Sequence, residues 1–424
     1  MKFQAVKGTR DFYPQEMRLR NWIMDAWRRV SLRNGFEEYD APIFEYLDLF
    51  TAKSGPEIAE QLFSLTDRGG RNLAIRPEMT PALARMVNEK INSLPRPIKW
   101  FSVPRVCRAE APQKGRLREF FQWNIDIIGE DGVIADAECI YVLVDLLREL
   151  GLTPNEVKVR IGSRAIAVAA LNSYGVSDEL VPTALGVMDK KSKVSPEDFI
   201  FMVRKAGLSE KQGALICHFI DCAMLPNRLE DLAKEPGIGV AVQDMQKLFG
   251  LLTAMGVADY CVVDLSIVRG LAYYTGIVYE VFDAGESLRA VAGGGRYDNL
   301  LQVLGGPKVG ATGFGMGDVV LGILLQEKGK LPASLGSGQL DYFVADDAPE
   351  LFEQVVSLVA AIRTKGKSAD FSYKRQNVGK QLQTANRRGA KNAVIVKAGG
   401  QVAIKDLTTG QQQEMSMEAF LKSI

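Results

Sequence analysis

Val106-Cys107-Arg108-Ala109-Glu110-Ala111-Pro112-Gln113-Lys114-Gly115-Arg116-Leu117-Arg118-Glu119-Phe120-Phe121-Gln122 is a basic segment set between two apolar runs. Residues 101–106 before it and 120–128 after it are rich in aromatic and β-branched side chains, the composition of strands. Two such runs joined by a short polar connection predict a hairpin, which makes them antiparallel neighbours. Lys114, Arg116 and Arg118 then sit in the connection, where a polyanion can reach them. Taken alone, a basic tip serves equally well as a solvated turn, so its meaning rests on the rest of the chain.

Upstream, residues 14–35 begin with Pro14 and carry Met17, Trp22, Ile23, Ala26, Trp27 and Val30 mostly at helical spacing, which predicts an amphipathic helix ended by Gly35. Extended segments at 40–44, 61–65 and 72–76 surround the turn Asp67-Arg68-Gly69-Gly70, and a helix over about 80–93 follows. This order predicts an α+β fold, an antiparallel sheet flanked by helices rather than repeated βαβ units. Residues 174–235 turn charged and helical in periodicity and read as a helical insertion. Strands resume at 261–268 and 277–282, and Ala292-Gly293-Gly294-Gly295-Arg296-Tyr297-Asp298 gives the backbone close access to a ligand or a turn.

Pro332-Ala333-Ser334-Leu335-Gly336-Ser337-Gly338 marks a linker, taken as 329–339, between a domain at 1–328 and a second at 340–424. In the second, strand and helix patterns alternate as in a small α/β domain. Between residues 374 and 391 it carries Lys374, Arg375, Lys380, Arg387, Arg388 and Lys391 and no acid, a pattern read as an RNA-facing surface.

The whole chain has 424 residues, enough for two or three cores. Its 52 Lys and Arg against 51 Asp and Glu leave a net charge of +1, so a nucleic-acid partner must be met by local patches. Five cysteines without C-x-x-C spacing argue against a disulfide framework and a structural zinc site, and for a reduced, intracellular protein. No apolar leader or membrane-length apolar run is present, which predicts a cytoplasmic protein with no membrane partner. The single histidine, His218, lies in an apolar helical context, so histidine triads and multi-histidine metal sites are excluded.

Lys7-Gly8-Thr9-Arg10-Asp11-Phe12, Arg76-Pro77-Glu78-Met79-Thr80, the Arg108 hairpin, Val268-Arg269-Gly270-Leu271-Ala272-Tyr273-Tyr274-Thr275 and the glycine run before Arg296 follow one another in a recognisable order. Together they resemble the class II aminoacyl-tRNA synthetases and, within them, the histidyl-tRNA synthetase family. The resemblance implies a class II catalytic sheet followed by an anticodon-binding domain. It implies histidine–tRNA ligase chemistry: L-histidine is activated by ATP, with Mg2+ and release of pyrophosphate, then transferred to the 3′ end of histidine tRNA. No protein-held structural metal is implied.

Two anions must meet in the activation step, so the work is positioning and electrostatic stabilisation, for which the planar guanidinium fork is suited. By resemblance Arg108 grips the α-phosphate, Arg116 the outer phosphates, and Arg269 the reacting carboxylate and phosphate. Glu78, Thr80 and Gln122 match positions that bind the histidine ammonium. Asp126 and Tyr274, with Tyr273 beside them, match positions facing the imidazole; an amino acid without ring nitrogens would leave them unpaired. Gln113 and Arg118 match the loop that meets the tRNA acceptor end, while Lys374, Arg375, Arg387 and Arg388 fall on the anticodon side. Gly35-Phe36-Glu37-Glu38-Tyr39-Asp40-Ala41-Pro42 resembles the first class II motif, which implies a homodimer.

The pattern is broken in three places. In Gly313-Phe314-Gly315-Met316-Gly317-Asp318-Val319-Val320-Leu321 the usual Glu-Arg pair of the third motif falls on Val319 and Val320, removing a carboxylate for magnesium and a guanidinium for the γ-phosphate. Asp318 is the candidate for the first, Arg116 or Arg296 for the second. Ala272 stands for the usual Asp, and Asp126 for the more frequent Glu. Two other readings remain: a catalytically inactive, synthetase-like regulatory subunit of ATP phosphoribosyltransferase, and a tRNA-binding sensor without ATP chemistry.

Overall fold

The computed structural model describes residues 3–54, 62–191, 194–225, 227–235, 237–268, 274–335, 340–374 and 376–424. It divides into two units, Met1–Lys330 and Leu331–Ile424.

The first unit opens with α1 (Pro14–Arg33), β1 (Glu37–Glu38), β2 (Phe44–Tyr46), α2 (Leu47–Ser54), β3 (Ser64–Thr66), β4 (Asn72–Ile75) and α3 (Thr80–Lys90). The hairpin region follows as β5 (Ile98–Ser102), β6 (Arg105–Cys107) and β7 (Glu119–Ile128), then α4 (Ile134–Glu149) and β8 (Val157–Ser163). Next come the helices α5 (Arg164–Ser173), α6 (Val181–Lys190), α7 (Pro196–Lys205), α8 (Glu210–Asp221), α9 (Arg228–Ala233) and α10 (Gly239–Ala254). The unit closes with β9 (Cys261–Val263), β10 (Ile277–Asp283), β11 (Ala292–Arg296), α11 (Leu300–Val303), β12 (Ala311–Gly317) and α12 (Asp318–Glu327).

The main sheet runs β1-β5-β7-β12-β11-β10-β8-β9, with β6 pairing to β7. Its interior is antiparallel, and only the end pairs β1/β5 and β8/β9 are parallel. Strand β7 explains the layering through its period of two. Trp123, Ile125 and Ile127 are buried: Trp27 of α1 stacks on Trp123 at 6.2 Å, and Phe314 meets it edge-on at 5.0 Å. Burial of each tryptophan is worth on the order of 3 kcal/mol. The opposite face of β7 carries Gln122, Asn124 and Asp126.

Local chemistry explains where the elements depart from the sequence patterns. The expected strand at 40–44 is not one, because Pro42 has no N–H to pair and the Asp40 carboxylate accepts from the Ala41 amide at 2.8 Å. Residues 101–106 form two strands rather than one, with Pro104 falling in the gap between β5 and β6. The strand expected over 261–268 stops at Val263, since Asp264 Oδ1 accepts from the Ser266 amide at 3.0 Å and turns the chain. The helical stretch is wider than 174–235, including α5 and α10, and the glycine run lies in the strand β11.

The second unit holds β13 (Leu340–Asp346), α13 (Phe352–Thr364), β14 (Ala369–Phe371), α14 (Val378–Arg387), β15 (Ala390–Lys397), β16 (Gln401–Asp406), β17 (Gln412–Ser416) and α15 (Met417–Ser423). Its sheet order is β14-β13-β15-β16-β17; the first three strands are parallel, as strand–helix–strand crossovers require. Among the described residues no helix is long and apolar enough to cross a membrane.

Candidate active site

A cleft of about 460 Å³ lies over the middle of the main sheet. Strand β7 offers Gln122, Asn124 and Asp126, and β10 offers Glu280 and Phe282. Between them β12 and β11 offer Gly313, Gly315, Gly317 and Gly293. The glycines of the third motif have a steric reason here. A Cβ at Gly313 would lie 2.4 Å from Asp126 Oδ1, and one at Gly315 would lie 2.0 Å from Gln122 Nε2. The two polar side chains of β7 rest on bare backbone next door.

At one end of the cleft Asp126, only 3% exposed, accepts a hydrogen bond from the Tyr297 hydroxyl. Tyr274 lines the same end and is buried. Glu78 and Thr80 enter from the α3 side, Thr80 as the first residue of that helix. Gln122 Oε1 is buried without a hydrogen-bond partner among the described residues. This end thus presents carboxylate, hydroxyl and amide groups suited to a small cationic or amphoteric ligand.

Guanidiniums fill the other end. Arg108 Nε donates to the Pro77 carbonyl at 3.2 Å, and the group stacks over Phe120 at 5.3 Å, which fixes it at the cleft wall. The tip is a tight turn: Gln113 and Arg116 exchange backbone hydrogen bonds of 2.9 Å, and Gly115 supplies the φ of +76°. Arg116 forms an ion pair with Glu110, another residue of the cleft. Arg118 and Gln113 lie beside the cleft rather than in its lining. The Arg118 amide donates to Gly8 O at 2.8 Å and its Nε to Glu110 O at 3.1 Å, so this arginine fastens the loop to the chain's first segment.

Seven of the residues singled out in the sequence, Glu78, Thr80, Arg108, Arg116, Gln122, Asp126 and Tyr274, therefore share one cleft. Arg269, Tyr273 and Arg375 lie outside the described residues. In the second unit Lys374 and Arg387 are exposed, whereas Arg388 reaches Asp370 at 3.3 Å.

Of the substitutes expected for Val319 and Val320, Arg116 lines the cleft, whereas Arg296 and Asp318 are engaged elsewhere. Arg296 spends its guanidinium on Asp136 at 2.7 Å, Asp298 at 3.1 Å and the Gly132 carbonyl at 2.8 Å, inside the protein. Asp318 pairs with Arg10 at 2.7 Å and accepts from the Phe121 amide at 2.9 Å. Burial pushes the Asp318 carboxyl above its usual range, and the Arg10 charge offsets this only in part. Neither residue lines the cleft. The residues that do, and that sequence reasoning missed, are Asn124, Glu280, Arg289 and Tyr297. Asn124 was open to discovery through the period-two alternation of β7; the others depend on strand pairing far along the chain.

The histidyl-tRNA synthetase family model matches residues 8–317. The chain belongs to that family. An anticodon binding domain matches residues 334–424. A histidine–tRNA ligase of Opitutus terrae is 41% identical over 98% of this chain and 96% of its own length. The chloroplastic/mitochondrial histidine–tRNA ligase of Arabidopsis thaliana is 38% identical over 97% of this chain and 84% of its own. In fold, the chain is similar to the histidyl-tRNA synthetase of Nostoc, with a TM-score of 0.80, 24% identity and full coverage of both chains.

Proposed function

We propose that this chain is a histidine–tRNA ligase, and that the cleft over the glycine floor is where histidine is activated. The observation that carries the reading is the union, in one cleft, of an Asp126–Tyr297 pair at one end and Arg108 and Arg116 at the other.

The imidazole meets Asp126 and Tyr274, and the ammonium meets Glu78, Thr80 and Gln122. The histidine carboxylate then faces the α-phosphate of ATP. One carboxylate oxygen forms a bond to the α-phosphorus as the bond to the pyrophosphate oxygen breaks, and the negative charge that builds on the phosphoryl oxygens is met by Arg108 and, following the family pattern, Arg269. No enzyme nucleophile takes part; the protein positions the anions and neutralises them. In the second step the terminal ribose hydroxyl of histidine tRNA attacks the acyl carbon and AMP leaves. Gln113 and Arg118 belong with the acceptor end, and Lys374, Arg375, Arg387 and Arg388 with the anticodon.

Magnesium arrives on ATP. The cleft's Glu280 carboxylate is a hard oxygen donor suited to a cation already held by phosphates. Among the described residues no group of three or more His, Cys, Asp and Glu could hold a metal by itself. When bound, the cation neutralises phosphate charge; orientation falls to the arginines.

A homodimer fits the surface of the small β2-β4-β3 sheet, where Ile43, Phe44, Tyr46 and Leu65 are each at least 45% exposed beside the first-motif segment. The cytoplasm is the compartment where such a ligase meets tRNA and reduced thiols. The regulatory-subunit and sensor readings are disfavoured, since the chain carries the Arg269–Tyr274 segment in its sequence and a second unit of the anticodon-binding family.

The test is histidine-dependent exchange of pyrophosphate into ATP. Exchange with histidine alone, abolished in Arg269→Ala, is the expected result; no exchange by a folded protein would transfer the chain to the regulatory or sensor class.

A further inference from the structure

The phosphate end of the cleft lacks a guanidinium at position 320 and has one at position 289. Val320 is buried, and its side chain lies directly beneath the loop tip: a Cβ on Gly115 would be 3.3 Å from Val320 Cγ2. An apolar side chain there closes the cleft against water but offers nothing to a phosphate. Arg289 comes in from the connection between β10 and β11, lines the same cleft as Arg108, Arg116 and Val320, and is exposed at its rim.

Its surroundings separate Arg289 from the other arginines of this region. Arg10, Arg116 and Arg296 each have a carboxylate within ion-pair distance. Arg289 has no ion pair or side-chain hydrogen bond among the described residues. The charges that act on it are the like charges of Arg116 and Arg108 and the opposite charge of Glu110, which Arg116 already engages. Partial burial and those like charges lower its pKa, the expected mark of positive charge gathered without its counter-ion. Three guanidiniums lining one cleft, Arg108, Arg116 and Arg289, favour a multiply charged anion.

We propose that Arg289 binds the terminal phosphates of ATP in this chain, filling from the β10–β11 connection the role that Val320 cannot fill from the start of α12. The proposal rests on the ligase reading for its ligand, but Arg289 is a positioning residue for the polyphosphate whatever the second substrate is. Histidine binding, at the Asp126 end, is left untouched by it.

The experiment compares equilibrium binding of ATP and of AMP, both with magnesium, to the full chain and to Arg289→Ala, Arg289→Lys and the double variant Arg289→Ala/Val320→Arg. Arg289→Ala is expected to weaken ATP binding by about 10- to 100-fold, the loss typical of a charge-assisted contact, while AMP binding changes less than about twofold. Arg289→Lys keeps the charge without the fork and falls between. The double variant recovers part of the lost ATP affinity, because a guanidinium at 320 approaches the same end of the cleft from below. In pyrophosphate exchange, the Arg289→Ala defect appears in the KM for ATP and not in that for histidine. Equal weakening of ATP and AMP, or no weakening of either, would overturn the proposal. Because binding needs no turnover, a wild type silent in exchange would sink the ligase reading and still leave the role of Arg289 decided by the ATP-to-AMP ratio.

Discussion

The two ends of the cleft are built on opposite plans. At the end proposed for histidine, Asp126 is buried on a central strand, held by Tyr297 and seated over Gly313. At the end proposed for the phosphates Arg116 follows a two-residue turn and is half-buried, and Arg289 stands exposed on a strand connection. The difference follows from what each end must recognise. An imidazole is told from other side chains only by fixed, desolvated partners whose loss of a hydrogen bond is costly. A polyphosphate carries charge on every side and can be held by guanidiniums arriving from several directions. A rigid end tolerates little change, while a charged end can exchange one arginine for another.

Three substitutions test this contrast. Gly313→Val should have the largest effect, since its β-branched side chain needs the space 2.4 Å from Asp126 Oδ1. We expect the KM for histidine to rise more than about 100-fold, following loss of a buried charged contact, with ATP binding retained; equal damage to both substrates would dissolve the division into two ends. Tyr297→Phe keeps the ring and removes the hydroxyl that orients Asp126. A loss of about 10-fold in histidine affinity is expected, measured beside ATP affinity, which should hold. The smallest effect lies outside the cleft, at Asp341, whose carboxylate meets Lys391 Nζ at 2.9 Å and the Ser368 amide at 3.0 Å. Those contacts lower its pKa from 3.8 to about 2. A depressed carboxyl stabilises the fold above its unfolded pKa and ceases to do so as pH falls through the folded one. Asp341→Asn should therefore cost up to about 1 kcal/mol at pH 7, with the difference in melting temperature from wild type vanishing towards pH 2, and with both substrates bound as before.

The sequence made the local features legible and hid the long-range ones. The helix at α1, the hairpin of β6 and β7 and the strands β4 and β10 follow from periodicity and composition alone. Pro42 and Pro104 show where such patterns mislead, because one missing N–H ends a strand that hydrophobicity would continue. In the cleft, Arg108 and Arg116 stand in a motif of their own, and Glu78, Gln122 and Asp126 were reached through family resemblance. Tyr297 could not be placed by either route: its hydroxyl meets a carboxylate 171 positions away. Arg289 was hidden in the same way, since its neighbours Arg108 and Arg116 belong to a different strand pair. The expected use of Arg296 failed for a related reason. A charge next to a glycine run looks available until the fold delivers Asp136 and Asp298 to it.

The fastening of Arg118 to Gly8 gives the loop a second listener. Its amide hydrogen bond to Gly8 O, with the Arg10–Asp318 pair on the same leading segment, joins that segment to the Gln113–Arg116 turn. If nucleotide steadies the turn through these contacts, protease cleavage within residues 7–12 is expected to slow when ATP is present. Limited proteolysis with and without ATP measures that coupling from the outside of the molecule, with no label on either substrate, and equal cleavage rates would refute it.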